Sequence, residues 1–460
     1  MKQFGKAKHI HFVGIGGIGM SGLAELLINL GYTVSGSDLK DSTATRRLLK
    51  MGCRIFKGHD RNNIQDVDVV VYSSAVGLQN PELLEAKDRY IPVIPRAEML
   101  SELMRLKYGV AIAGAHGKTT TTSMVASILT KGELDPTVVI GGRLDIWGGS
   151  NAKLGQGDVL VAEADESDGS FLTLTPTIAV VTNIDHEHMD HYGSMAVIRR
   201  TFLDFINKIP FYGTAILCQD NEEIQGIIPQ LKKRYITYGM STQAEVRGKN
   251  LKNEKWGTSF EVIYHNHSMG RISVGMPGEH NALNALAATA VALELELEMG
   301  VIREGLTALG GLSRRLQIKG EKNGVLFMDD YGHHPTEIVA TLKTVKACRS
   351  EKRLVVVFQP HRYTRTQALL DRFVIAFNDA DVLVVTPIYP AGEQPIEGIT
   401  AENLVKAIKD HGHKEALFCP DLAHVGPTLE KLTRPGDLVL TLGAGNINRE
   451  GERFLELTAN

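Results

Sequence analysis

Two glycine-rich loops hold the residues best suited to chemistry. The run Gly114-Ala115-His116-Gly117-Lys118-Thr119-Thr120 follows the apolar stretch Val110–Ala113 and leads into a helix-like segment, Thr119–Leu129. At a strand-to-helix turn, backbone N–H groups can cradle phosphates, Lys118 can reach the β and γ phosphates, and the Thr119 hydroxyl can ligate Mg²⁺. The usual spacing GxxxxGK[ST] would need glycine at 112, where the chain has Ile112, so the loop reads GxxGKT. It still predicts a nucleoside triphosphate site. The second loop, Gly14-Ile15-Gly16-Gly17-Ile18-Gly19, follows the strand His9–Val13 and opens a helix near Ser21. Its glycines permit a tight turn, approach of a phosphate to the backbone, and close packing of helix on strand. Asp38 closes the next strand, where a ribose-reading acid belongs. The pattern suits an NAD-dependent oxidoreductase, or a tight turn with no ligand. It identifies a phosphate beside a sugar, and nothing nearby identifies a hydride acceptor.

Polar clusters follow two further apolar runs. Leu160–Ala162 leads into Glu163-Ala164-Asp165-Glu166-Ser167-Asp168, and Ile178–Thr182 into Asn183-Ile184-Asp185-His186-Glu187-His188. Open α/β sheets bind ligands at strand C-termini, although a solvated loop is the plain alternative. Glu163 is the first acid after its strand. His186-Glu187-His188-Met189-Asp190-His191 spells HxHxDH, a spacing that can hold zinc and generate hydroxide. A metallohydrolase is therefore a rival reading, but it would explain neither glycine loop.

Elements that could position these groups recur along the chain. Short buried runs at His9–Gly14, Thr33–Gly36, Val67–Ser73, Gly109–Ala113, Val159–Ala162, Ile178–Thr182, Leu354–Gln359, Val382–Thr386 and Asp437–Leu442 read as strands. Amphipathic segments such as Ser21–Leu30 lie between them, which predicts an α/β protein with parallel sheets. Ala244–Val274 alternates and reads as antiparallel strands. Boundaries near Arg105–Gly109 and Gly310–Ser313 divide the chain into domains 1–107, 108–312 and 313–460, each of ordinary size.

Composition narrows the function. The 460 residues carry 50 Lys+Arg against 53 Asp+Glu, a net charge of −3, which argues against a broad nucleic-acid surface. Four scattered cysteines form no CxxC pair and fit a reducing compartment. No run approaches the roughly 20 apolar residues of a membrane span, and the N-terminus lacks the apolar stretch of a signal peptide. The expectation is a cytoplasmic protein with no membrane insertion and no nucleic-acid partner.

Taken in order, GIGGIG, GAHGKTTTT, EADESD, TNIDHEHMD, GEHNALNA, DDYGHHPTE, QPHRYTRT and GAGNI resemble the Mur ligase family over essentially the whole chain. The resemblance implies three domains: N-terminal Rossmann-like for a UDP-sugar, a central P-loop parallel-sheet ATPase, and C-terminal Rossmann-like for an amino acid. Within the family, GHHPTE and HRYTRT look like the member that adds L-alanine to UDP-N-acetylmuramate in peptidoglycan synthesis. That activity serves cell-wall biogenesis, and with it cell shape, division and the cell cycle. The member that recycles murein tripeptide is the alternative. The implied reaction uses ATP and Mg²⁺ (or Mn²⁺), passes through an acyl phosphate, and runs in a monomer or homodimer.

The resemblance also assigns residues. Gly14, Gly16, Gly17, Gly19 and Asp38 become the UDP-sugar site, with Ser73 and Ser74 as further contacts. Gly114, Ala115, His116, Gly117, Lys118, Thr119 and Thr120 hold ATP phosphates, and Asn281 and Asn284 contact adenine, although Asn281 could equally cap a helix. Thr119 and Glu163 hold the metal, and His188 helps with a second one. His186 and His191 are read as local hydrogen-bonding groups. Tyr331, His333, Arg362 and Arg365 form the amino-acid site, since planar guanidinium suits a carboxylate or phosphate. Lys118, His188, Asp330, His333 and Arg362 form the catalytic set. Arg314, with Arg315, lies at the hinge and meets phosphate on closure. Several relatives support the second metal with a carbamylated lysine, whereas Val197–Ile206 has Arg199 and Arg200 and no lysine; Lys208 falls outside it.

Overall fold

Short runs of Val, Ile, Leu and Ala form the central strands of three sheets. A computed structural model describes residues 4–73, 75–144, 150–254 and 256–456. The first sheet has five parallel strands, β1 (His9–Val13), β2 (Thr33–Asp38), β3 (Arg54–Lys57), β4 (Val69–Tyr72) and β5 (Val93–Pro95), in the order β3-β2-β1-β4-β5. The order reverses beside β1, so the glycine loop that follows it opens at the switch point, where such sheets bind ligands.

The second sheet has ten strands. They are β6 (Tyr108–Ala113), β7 (Thr137–Leu144), β8 (Ser150–Lys153), β9 (Val159–Glu163), β10 (Ile178–Val181), β11 (Thr214–Cys218), β12 (Tyr235–Gly239), β13 (Val246–Glu254), β14 (Gly257–Tyr264) and β15 (His267–Val274). The order is β15-β14-β13-β12-β11-β10-β6-β9-β7-β8. β9, β6 and β10 are parallel neighbours, so the loops after all three open at one edge. β13–β15 form the antiparallel meander expected for 244–274.

The third sheet joins β16 (Gln317–Lys322), β17 (Val325–Asp330), β18 (Leu354–Phe358), β19 (Val382–Val385), β20 (Ala416–Phe418) and β21 (Leu438–Leu442), ordered β16-β17-β21-β18-β19-β20. All pairs are parallel except β16 with β17. Leu354, Val356 and Phe358 enter one core, and Val355 and Val357 enter the other. Helices therefore cover both faces, which explains the continuous apolar runs. The N-terminal and central sheets share one continuous core. Among the described residues no helix is long and apolar enough to cross a membrane.

The helix after the first loop spans Ile18–Asn29 and starts three residues before Ser21. Gly17 caps it, so Gly19 already lies in its first turn. The helix after the second loop spans Lys118–Lys131, with Gly117 in the left-handed region as its cap. Neither N-terminus has a side-chain cap. Their first backbone N–H groups are thus available to an anion.

Candidate active site

The loop after β6 is held from beneath by the loop after β10. Asn183 accepts the His116 N–H at 2.8 Å and donates to the His116 carbonyl at 3.0 Å. Lys118 Nζ donates to the Gly114 carbonyl at 2.6 Å and to Glu166 at 2.9 Å. Burial would push the ammonium down, but Glu166, Asp165 and Glu163 outweigh it and push it up. Lys118 is therefore a cation at any physiological pH, and Glu166 occupies its amine. Glu166 also lies 3.8 Å from His188 Nε2. Glu163 ends β9, level with Ile112 of β6.

A cleft of about 520 Å³ opens beside this loop. Gly117, Thr120, Asn281 and Asn284 line one side, and Arg315, Asp330 and Glu337 line the other. Asn284 packs so closely that a Cβ at Gly117 would come within 2.5 Å of its Oδ1. Thr121 donates to the same oxygen at 3.2 Å, and Asn281 donates to the Pro277 carbonyl at 2.7 Å. The helix holding both asparagines begins at Glu279 with Gly278 as its cap, so Asn281 is not a helix cap.

A second cavity of about 310 Å³ lies between the loop 186–190 and the helix Tyr363–Ala368, lined by Glu187, His188, Arg362 and Arg365. Arg365 donates to Glu187 through Nε at 2.9 Å and Nη2 at 2.7 Å. Both side chains are 9% exposed. His188 and Arg362 sit at helix starts with φ of 55° and 72°. Left-handed backbone at non-glycine residues is costly and concentrates at functional sites. Burial pushes His333 down to about 4, against the pull of Glu337, and pushes His361 down to about 3. Both are therefore neutral imidazoles at pH 7, facing each other at 5.7 Å.

Arg314 differs from the expectation. It pairs with Asp329 at 3.1 Å, donates to the Gly443 carbonyl, and stacks on Tyr331 at 4.9 Å. These contacts hold it inside its own domain, and Arg315 lines the cleft instead. Asp330 is buried and accepts backbone N–H groups of Leu316 at 2.8 Å and Gly332 at 2.7 Å. Burial pushes its carboxyl up to about 6. A raised carboxyl contributes stability below its unfolded value of 3.8, lost as pH rises through the folded value. Asp330→Asn should therefore gain stability relative to the parent between pH 4.5 and 7, by up to about 2–3 kcal/mol. Urea denaturation of both proteins at the two pH values measures that gap.

At the first loop, the Ser37 carbonyl accepts the N–H groups of Gly14 and Ile15, and Asp38 Oδ2 accepts that of Gly16 at 2.8 Å. Asp38 thus shapes the loop directly. Ser73 accepts the Ala75 N–H at 3.3 Å; Ser74 lies outside the described residues.

Several residues at these sites carry no sequence signal of their own. Arg96 lies over the first loop, within 3.0 Å of where a Cβ on Gly19 would sit, and 3.7 Å from Asp165 of the central sheet. Glu166, Asp185 and Glu337 stand in EADESD, TNIDHEHMD and DDYGHHPTE, but only the sheets show what each one faces. The HxHxDH segment does not assemble a ligand set: among the described residues, the group of three with ligand atoms within 4.8 Å is His116, Asp185 and His334. In the helix Met195–Asn207, Arg199 pairs with Glu223 and Arg200 with Asp204, both on the exposed side.

Family models match the chain in three consecutive stretches: "Mur ligase family, catalytic domain" at residues 9–108, "Mur ligase middle domain" at 112–292, and "Mur ligase, glutamate ligase domain" at 314–445. A UDP-N-acetylmuramate–L-alanine ligase of Geobacter sulfurreducens is 59% identical over 454 residues, 98% of each chain. The crystal structure of a UDP-N-acetylmuramate–alanine ligase from Thermotoga maritima aligns with a TM-score of 0.80 at 30% identity, covering 98% of this chain and 99% of that one. A murein peptide ligase from Psychrobacter arcticus shares the fold, with a TM-score of 0.70 at 23% identity, covering 98% of this chain and 99% of that one. Two glycine loops that follow parallel strands of separate sheets, a third sheet facing the second loop, and these matches along the whole length lead to one conclusion: the chain belongs to the Mur ligase family.

Proposed function

We propose that this protein is an ATP-dependent ligase that joins L-alanine to the carboxylate of UDP-N-acetylmuramate in peptidoglycan precursor synthesis. The observation that carries the reading is the 59% identity to the UDP-N-acetylmuramate–L-alanine ligase of Geobacter sulfurreducens across 98% of both chains. The murein tripeptide reading and the metallohydrolase reading have less support. The chain acts in the cytoplasm as a monomer or homodimer, with segment 1–107 holding the UDP-sugar, 108–312 ATP and 313–460 the amino acid.

The reaction brings anions together, so the protein's contribution is positioning and charge neutralisation. A carboxylate oxygen of the muramyl group attacks the γ-phosphorus, the bond to the β-phosphate oxygen breaks, and ADP leaves. The amine of L-alanine then attacks the acyl carbon, phosphate departs with that carboxylate oxygen, and the amine loses a proton. Lys118 faces the β and γ phosphates once they displace Glu166 from its amine. Thr119 and Glu163 offer hard oxygen donors that would hold Mg²⁺ or Mn²⁺, and His188 would help hold a second ion. A bound divalent cation would supply neutralisation of the phosphate charge. Arg362 and Arg365 bind carboxylate or phosphate across the second cavity, beside the neutral His333. Gly14, Gly16, Gly17 and Gly19 hold the diphosphate of the UDP-sugar at the uncapped helix start.

A phosphate-release assay over a panel of amine acceptors tests the assignment. Turnover should require UDP-N-acetylmuramate and L-alanine together, with no turnover for murein tripeptide. Discrimination against glycine rests on one methyl group, so kcat/KM for glycine should fall by about 10–200-fold. Turnover with the tripeptide and none with L-alanine would move the assignment to the recycling reaction.

A further inference from the structure

His116 belongs to the ATP loop, yet its side chain joins two carboxylates at the boundary between the second and third sheets. Nε2 lies 2.9 Å from Asp185, in the loop after β10. Nδ1 lies 3.3 Å from Glu337, in the first turn of the helix Pro335–Cys348. The His334 ring packs on it at 4.8 Å. Burial would push the imidazole down, but hydrogen bonds to Asp185 and Glu337 push it up to about 10. The group is an imidazolium at neutral pH.

Both ends of this bridge are fixed. The His116 N–H and carbonyl are held by Asn183, so the ring projects from a backbone that is itself anchored. Glu337 accepts the backbone N–H groups of His333 at 3.1 Å and His334 at 3.3 Å, which ties it to the turn carrying Tyr331 and His333. Asp185 reaches across the same boundary to Thr336 at 2.7 Å and Arg372 at 3.2 Å. One imidazolium therefore sits between a carboxylate of each unit, two residues before Lys118.

We propose that His116 is a positioning residue that fastens the C-terminal domain onto the ATP loop, so that domain closure and the setting of Lys118 are one event. Without the imidazolium, Asp185 and Glu337 face each other as like charges and the closed arrangement is disfavoured. In this arrangement both ring nitrogens of His116 face carboxylates.

Three variants of the full chain test this: His116→Gln, Glu337→Gln, and the double variant. Glutamine at 337 keeps the helix-start hydrogen bonds and removes the charge. In H116Q, KM for L-alanine should rise and kcat should fall, each by about tenfold or more, with the Kd for UDP-N-acetylmuramate within about twofold. Amide exchange over residues 333–340 should accelerate. The double variant should recover part of both losses, because one carboxylate fewer restores the charge balance. Unchanged exchange in H116Q, or losses that simply multiply in the double variant, would overturn the proposal, as would stoichiometric, tightly held zinc. If H116Q does not fold, faster exchange over 114–118 in E337Q supports the proposal and unchanged exchange there overturns it. The kinetic arm rests on the ligase reading and the exchange arm does not. A parent protein inactive on L-alanine but with the expected exchange response would reject only the ligase reading.

Discussion

Replacing Lys118 with alanine is expected to lower kcat by about 10³-fold or more and to leave the Kd for UDP-N-acetylmuramate within about twofold. The ammonium is a permanent cation at the start of the helix Lys118–Lys131, and three acids around it hold it charged. Its partners are on the central sheet, whereas the first glycine loop lies on a different sheet, after β1. Steady-state kinetics and calorimetric titration of the UDP-sugar separate the two effects. The substitution also strands Glu166, which is buried, so some stability should be lost with the activity. Adding Glu166→Gln should return that stability without returning turnover, which distinguishes a catalytic loss from misfolding. A parallel collapse of UDP-sugar affinity would mean that the two loops are not separate sites.

The second large effect is expected at Arg365. Arg365→Ala removes a buried guanidinium that bridges Glu187 of the central loop and His361 of its own domain. Breaking a buried pair from one side typically costs about 3–5 kcal/mol, because the other charge remains without a partner. Here that cost falls on the contact between the central and C-terminal domains, so kcat/KM for L-alanine should fall by about 10²–10⁴-fold, the equivalent in rate of that energy. Lysine at 365 should recover little, since a single ammonium cannot make the Nε and Nη2 contacts together. Small-angle scattering should give a larger radius of gyration for the substrate-saturated variant than for the substrate-saturated parent. Kinetics unchanged from the parent would show that the Glu187–Arg365 pair is incidental to closure.

Several interior strands are legible in the sequence because they are buried on both faces: β6, β10 and β18 are unbroken apolar runs, and β1 and β21 are interrupted only by two histidines and one threonine. Edge strands are not. β3 reads Arg-Ile-Phe-Lys and β16 reads Gln-Ile-Lys-Gly-Glu-Lys, half-buried and polar, because only one face meets a core. The same physics hid part of the candidate site. Glycine loops announce themselves because few other residues permit their turns. Asp185 and Glu337 stand in motifs that carry the resemblance but receive no role there, since an acid acquires meaning only from what the fold sets against it. The histidines that follow Asp185 have a zinc-like spacing that the backbone does not turn into a ligand set. Arg314 and Arg315 are neighbours with identical chemistry. In the fold Arg314, with φ 57°, is held by Asp329 and the Gly443 carbonyl, while Arg315 lines the cleft.

The central claim is that a carboxylate is activated as an acyl phosphate before the amine attacks it. UDP-N-acetylmuramate labelled with ¹⁸O in the muramyl carboxylate tests it in one turnover with ATP and L-alanine. The mechanism places one labelled oxygen in the released phosphate and leaves the other in the new amide. Phosphate carrying no label would contradict it, because the carboxylate oxygen would then never have been bonded to phosphorus.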